Sequence, residues 1–389
     1  MLNINKFKTA LFVTSMSLLL TACGGSGGGD PKPVVVVEPT PTTTTTPTTT
    51  ETVAFDYQKL IDEKVSDTIP GIILLVDSPE KQFLGSAGLA DKETQDPMQA
   101  YHTMPTASAG KPMIGLLAAI LADENILDLD ATLNTWLSAD ILSQIENSNE
   151  ITLRQLLNHT SGLYDYVDNE DSLDMLITET DRLKTDIDFL VYGLNQPAYF
   201  NPGEGYHYSN TGYLLAGLIL DQVLGMHHSV ALRERILVPL GMNATYYRGI
   251  EKDQGDFISG YHKFDDHDTT YNTKSYIENI AIANSPVVSS VEDMALFLKS
   301  AVAEQSFLNA EIRADFFGSE QANGIIGIDS LGDNTVYGHS GLTHGYHTQN
   351  IYLEEKGLSI TAFINCSTQP VCENTMDSLI DEVLINELN

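Results

Sequence analysis

The chain reads as an α/β protein of the α+β kind, with one antiparallel sheet built from both chain ends, flanking helices and an inserted, mostly helical lobe. Three observations predict this. Near the start, Ile72-Ile73-Leu74-Leu75-Val76, a turn around Ser78-Pro79-Glu80 and the run Phe83 to Ala90 read as a hairpin. Near the end, Thr335 to His339, Gln349 to Leu353 and Leu358 to Asn365 read as strands, the last two joined by the turn Glu354-Glu355-Lys356-Gly357. Between them, residues 106 to about 300 carry mostly helical patterns. A closing amphipathic helix carries Met376, Leu379, Ile380, Val383 and Leu384 on one face. The body thus spans residues 53–389, with a sheet-bearing lobe from 53–105 and 286–389, a helical lobe from 106–285, and no internal repeat.

Residues 1–22 read as a secretory signal: Lys6 and Lys8 give a basic start, and Ala10 to Leu20 form an apolar core too short to span a bilayer. Leu20-Thr21-Ala22-Cys23 resembles a bacterial lipobox, which makes Cys23 the lipidated first residue of the mature protein. Gly24 to Gly29 and the Pro/Thr tract from Pro39 to Thr50 cannot bury enough apolar surface to offset chain entropy. Residues 23–52 are therefore a disordered tether. At up to ~3 Å per residue it holds the body several nanometres from a membrane. The expected location is the cell envelope, on the periplasmic face, with outer-membrane sorting if the host is Gram-negative.

Charge narrows the partners. With 53 acidic against 20 basic residues and a net of −33, the chain lacks the clustered Lys and Arg that phosphate binding needs, so nucleic acid is excluded. A monomer is expected, with membrane contact through the lipid alone. Of three cysteines, Cys366 and Cys372 remain after Cys23, and in an oxidising compartment they form a short-loop disulfide or stand as a free pair.

Chemistry centres on Thr106-Ala107-Ser108-Ala109-Gly110-Lys111, at the mouth of the apolar run Met113 to Leu121. Three residues apart on a helix, the Ser108 hydroxyl and the Lys111 amine share a face. A serine is a nucleophile only beside a base, and a lysine is a base only when desolvation or nearby positive charge lowers its pKa. Burial against the apolar helix supplies the desolvation. Pro112 adds strain, because its ring crowds the Ser108 carbonyl four residues back and loosens the first turn.

Two other stretches can complete a site. Asn201 to Tyr213 places Tyr208 and Asn210 on a turn opening the helix Leu214 to Leu224; a phenol there can relay a proton, and an amide can donate to a substrate carbonyl. Gly338-His339-Ser340-Gly341 ends a strand, where glycine permits close approach to a bound acyl group and the next backbone N–H can serve an oxyanion hole. A further stretch, Leu156-Leu157-Asn158-His159-Thr160-Ser161-Gly162-Leu163, reads as a helix end running into a polar loop.

In this order, Ser108-x-x-Lys111, Tyr208-x-Asn210 and His339-Ser340-Gly341 resemble the three motifs of the penicillin-recognising serine hydrolases. The likeness is closest to the branch that holds class C β-lactamases, the Streptomyces-type D-alanyl-D-alanine carboxypeptidase, D-aminopeptidases and β-lactamase-like esterases. The resemblance covers nearly all of 53–389 and implies the β-lactamase-like/DD-peptidase fold. It makes Ser108 the acylated nucleophile, Lys111 its proton acceptor or electrostatic partner and Tyr208 the proton shuttle to the leaving group. Asn210, His339, Ser340, Gly341 and Leu342 become substrate-binding residues, and the backbone N–H groups of Ser108 and Leu342 the oxyanion hole. It implies acylation and hydrolysis with no metal and no cofactor. Substrates are expected to be small peptides or esters, including peptidoglycan stem peptides, with specificity set by loops near 164–200 and 250–285. The sequence departs from class C β-lactamases at the third motif, where His339 replaces the usual lysine. With an unperturbed pKa of about 6.5, that histidine predicts weak or pH-dependent carboxylate recognition.

Rival readings are a metal hydrolase built on His339, His344 and His347 with Asp265, Asp266, His267 and Asp268, an α/β-hydrolase, and a catalytically silent binding protein. The first lacks a His-Glu-x-x-His pair. The second lacks Gly-x-Ser-x-Gly, since Gly338-His339-Ser340-Gly341 continues into Leu342. The intact Ser, Lys, Tyr and Asn argue against the third. Replacing Cys23 by Ser should move the protein from the membrane pellet to the soluble fraction on cell fractionation; a variant that still pellets would remove the lipid anchor from the account.

Overall fold

The computed structural model describes residues 55–264, 269–303, 308–319, 322–323 and 326–388. The signal, Cys23 and the whole tether lie outside them, as do Asp265, Asp266, His267 and Asp268. Helix α1 (Tyr57–Lys64), opened by an Asp56 cap that accepts from the Lys59 N–H, leads into β1 (Gly71–Asp77), β2 (Gln82–Asp91) and β3 (Asp96–Pro97). The chain then builds the helical lobe, with α2 (Lys111–Asp123) and α3 (Asn210–Leu224) at its centre. It returns through α4 (Val291–Val302) to β4 (Gly327–Leu331), β5 (Asn334–Thr343), β6 (Tyr346–Leu353) and β7 (Leu358–Ile364), and closes with α5 (Val371–Leu388).

The seven strands lie in the order β4-β5-β6-β7-β1-β2-β3, antiparallel throughout. The first strand is thus paired with the last, Ile72 opposite Ile364 and Val76 opposite Ile360. Ile72 to Val76 is apolar without alternation because both faces are covered. Ile72, Leu74 and Val76 pack with Tyr57, Ile61, Met376, Leu379 and Val383 of the terminal helices, and Ile73 and Leu75 with Met294 and Leu298 of α4 and the core of the helical lobe. Period-2 geometry sends neighbouring side chains to opposite cores.

Strand β5 runs on past His339 to Thr343, and β4, which the sequence pattern did not suggest, pairs with it only as far as Gly338. Residues 339–343 therefore have a strand partner on one side, β6, and none on the other among the described residues. That edge borders the turn that carries Ser108. A small second sheet, Met104–Pro105 against Val287–Ser289 against Tyr246–Tyr247, ties the start of this turn to the segment entering α4.

Cys366 and Cys372 are bonded, joining the end of β7 to the start of α5. Next to the bridge, the Ser367 hydroxyl accepts from the Gly345 N–H, fixing the turn between β5 and β6. Among the described residues no single helix is long and apolar enough to cross a membrane.

Candidate active site

Ser108 sits in a 3-10 turn, Ala107–Gly110, and the α-helix begins only at Lys111. Pro112 fits this start: it has no N–H to place, and the Ser108 carbonyl accepts instead from the Lys111 N–H. Just before the nucleophile, Ala107 takes a left-handed backbone at φ 51°, a conformation that costs an L-residue roughly 1 kcal/mol. The Thr106 N–H and hydroxyl both donate to the Val287 carbonyl, so the small sheet holds the strained turn.

Lys111 has no exposed surface, and its Nζ is fully committed. It donates to Ser108 Oγ at 2.9 Å, to Asn210 Oδ1 at 2.7 Å and to the Asn284 carbonyl at 2.7 Å. It also lies over the Tyr208 and Tyr213 rings, at 5.1 and 5.4 Å from their centroids. Burial lowers its pKa to about 7, and Asp165 opposes that fall. A base of that strength is half free at neutral pH and is matched to proton transfer there.

Asn210 is the first residue of α3, four residues earlier than the apolar pattern suggests. Its Oδ1 accepts from Lys111, and from Asn284 Nδ2 at 3.2 Å, while its Nδ2 donates to Asp165 Oδ2 at 2.8 Å. One of its two N–H groups is thus already spent, which leaves the other for a substrate carbonyl.

Tyr208 is half-buried as a residue, but its hydroxyl is sealed and closes no full hydrogen bond. Burial raises its pKa well above the usual value, although the nearby Ser108 hydroxyl favours the ionised form. The group therefore rests as a phenol with a proton to give. Its ring stacks on His159 with centroids 4.1 Å apart. His159 holds a left-handed φ of 60°, is kept neutral by burial and by Lys111, and accepts from the Ser209 N–H through Nδ1. What reads in the sequence as a helix running out into a polar loop is thus the backing plate of Tyr208.

The third motif meets the first at Gly341. A β-carbon there would fall 2.1 Å from the Thr106 carbonyl oxygen, 2.9 Å from the Ala109 nitrogen and 3.1 Å from the Ser108 nitrogen. No other residue fits so close to the nucleophile's amide. Leu342 follows on the strand edge and is 37% exposed.

His339 corrects one expectation. Its Nδ1 donates to the Ser340 carbonyl at 2.6 Å, so the neutral ring carries its lone pair on Nε2. Desolvation first, and the Lys111 charge second, bring its pKa to about 4. The ring is thus uncharged at neutral pH, its titration moved well below the 6.5 of an isolated histidine.

Asp165, His159 and Asn284 escaped sequence reasoning as site residues. Asp165 and Asn284 come from loops marked only as bearing specificity, and a lone Asp between two tyrosines carries no local signal. The three described histidines of the rival metal set are not drawn together: His344 packs against His262 and Phe264, and His347, paired with Leu342, lies on the opposite face of the sheet from His339. Among the described residues, Asp221, His227 and His228 come within 4.8 Å of one another. The two rings are stacked at 4.5 Å and 20°, so a single ion cannot lie in both ring planes.

The sequence profile described as Beta-lactamase matches residues 57–385. The chain belongs to the beta-lactamase family. It is 26% identical over 318 residues to Penicillin-binding protein 4* of Bacillus subtilis, covering 74% of this chain and 66% of that protein. It is 28% identical over 181 residues to Protein flp of Staphylococcus aureus, covering 46% of this chain and 35% of that one. The chain thus spans about two thirds and about one third of the lengths of these relatives. Among solved structures, D-amino acid amidase from Ochrobactrum anthropi SV3 complexed with L-phenylalanine amide matches with a TM-score of 0.69 and 26% identity, over 84% of this chain and 97% of that one. A penicillin binding protein from Bacillus halodurans has the same fold, with a TM-score of 0.70 at 19% identity over 85% and 99%. This beta-lactamase family member has the mixed α/β fold of its penicillin-binding and amidase neighbours.

Two outcomes follow for this site. Because His339 stays neutral between pH 5.5 and 8.5, kcat/KM for one anionic and one neutral substrate should run parallel across that interval; profiles that diverge near pH 6.5 would show a charged ring in use. Gly341→Ala should cost at least ~10²-fold in turnover, the scale of losing one oxyanion donor, with near-UV circular dichroism little changed.

Proposed function

We propose that the chain is an envelope-anchored hydrolase of peptides or amides of D-amino acids, a D-alanyl-D-alanine carboxypeptidase-like enzyme working through an acyl group on Ser108. The observation that carries this reading is the fully buried Lys111, 2.9 Å from Ser108 Oγ with a pKa brought to about 7. In this scheme Lys111 Nζ takes the Ser108 proton as Oγ attacks the scissile carbonyl, and the backbone N–H groups of Ser108 and Leu342 receive the oxyanion. Tyr208 then gives its proton to the departing amine. Water attacks the ester, with Lys111 and Tyr208 as the groups that take and return its proton, and Ser108 is regenerated. Charge neutralisation by a metal is not needed, since the developing negative charge lies between backbone donors.

A second reading, hydrolysis of uncharged amides or carboxylic esters, is favoured by the neutral His339, which leaves the third motif without the fixed cation that a substrate carboxylate would seek. The amide named with the Ochrobactrum structure has no free carboxylate either. A class C-like β-lactamase is disfavoured by the same substitution.

Purified protein should be assayed on a D-Ala-D-Ala peptide, a D-amino acid amide, nitrocefin and short p-nitrophenyl esters. The first two should be turned over and nitrocefin poorly; activity confined to esters would replace the peptidase reading by the second. Ser108→Ala should lower kcat on the best substrate by several orders of magnitude with the fold intact, and Lys111→Ala and Tyr208→Phe should each cost nearly as much without adding. A Ser108→Ala protein with turnover retained would move the nucleophile elsewhere.

A further inference from the structure

Behind Asn210 lies a carboxylate that none of the three motifs contains. Asp165 is 7% exposed and sits on the loop after His159. Its Oδ2 accepts from Asn210 Nδ2 at 2.8 Å, and its Oδ1 from the Val167 N–H at 3.3 Å. Among the described residues it makes no hydrogen bond with an arginine or lysine; the cation it faces is Lys111, across the Asn210 amide. Four groups, Asp165, Asn210, Lys111 and Ser108, thus form one line from the protein interior to the nucleophile.

An asparagine side chain can present either its oxygen or its nitrogen to a neighbour, and the two orientations have opposite effects on an ammonium. With Nδ2 held by a carboxylate, which can only accept, Oδ1 must point at Lys111. Asn284 closes the arrangement from the other side, its Nδ2 donating to Asn210 Oδ1 and to the Tyr166 hydroxyl, its carbonyl accepting from Lys111. We propose that Asp165 is a positioning residue for the nucleophile's base: it locks the Asn210 amide in the orientation that aims Lys111 at Ser108, and it sets a carboxylate opposite that lysine across the amide.

The surroundings leave this role to Asp165. Lys111 is faced by the Ser108 hydroxyl, by the faces of the Tyr208 and Tyr213 rings and by the neutral rings of His159 and His339, none of which carries negative charge at neutral pH. Beyond Tyr166 lie the buried Asp186 and Arg248, and both are engaged elsewhere. Asp186 accepts from the Ala283 N–H, and Arg248 donates to the Ile280 and Ser285 carbonyls, holding the loop that presents the Asn284 carbonyl. Burial raises the pKa of Asp165, while the Val167 N–H, the Asn210 N–H and amide, and Lys111 favour its ionised form. Without that charge, desolvation alone would act on Lys111, so its pKa would fall further and it would be a weaker base.

The inference rests on Ser108 being the nucleophile, and the test separates the two. The second-order rate of fluorophosphonate labelling is measured from pH 5 to 9 in the wild type, D165N and D165A, with the modified peptide identified by mass. Labelling of Ser108 in the wild type reads the nucleophile, and displacement of the acid limb between variants reads Asp165. D165N keeps the size and an acceptor but loses the charge. Its acid limb should move to lower pH by at least ~0.5 units, with a plateau roughly tenfold lower. D165A, which also frees the amide, should show the same displacement and a plateau lower still. Should D165A not fold, D165N carries the test. An acid limb at unchanged pH in D165N, whether its plateau is retained or uniformly reduced, would overturn the proposal and leave Asp165 a structural residue.

Discussion

The burial of one ammonium group governs this structure. An unpaired lysine is costly to remove from water, and Lys111 is removed completely. Its hydrogen bonds run to a hydroxyl, an amide oxygen and a backbone carbonyl, with its charge balanced only at a distance by Asp165. That incomplete compensation makes it a base near neutrality. Everything nearby serves to keep it dry and aimed: the Tyr208 and Tyr213 rings lie against its ammonium, α3 begins at the residue that accepts from it, and the loop at Asn284 is pinned by Arg248 and Asp186.

A second constraint is contact distance. The nucleophile's turn has to touch β5, and at Gly341 the approach leaves no room for a methyl group. The left-handed Ala107 lets the turn rise to that edge, and its strain is held by the small sheet through Thr106 and Val287. The early end of β4 leaves residues 339–343 without a second strand partner among the described residues, and an extended substrate can add there as one more strand.

Much of this was legible in the chain. Strand patterns at both ends announced one antiparallel sheet built from distant segments with flanking helices, and three spaced motifs gave Ser108, Lys111, Tyr208 and Asn210, which lie together in the structure. The charge state of His339 was not legible. A residue's reference pKa describes water, whereas this ring lies against a cation inside a protein. Asp165 and Asn284 were invisible for a different reason, since their positions depend on loop paths that no periodicity encodes. The start of α3 was misplaced because Asn210 to Tyr213 mixes polar and apolar residues, and helical periodicity shows only from Leu214.

The pairing of β1 with β7 sets the order of assembly. Ile72 meets Ile364 only after nearly 300 intervening residues have been laid down, and Gly341 reaches the Ser108 turn through that same sheet. Contacts of such sequence separation form slowly, because loop closure has to precede any reward. A nascent chain that has emerged as far as α3 already carries Ser108, Lys111, Tyr208 and Asn210, yet has no strand edge against which a substrate could be held. The site is therefore complete only once the final strands have docked and Gly341 lies against the Ser108 turn.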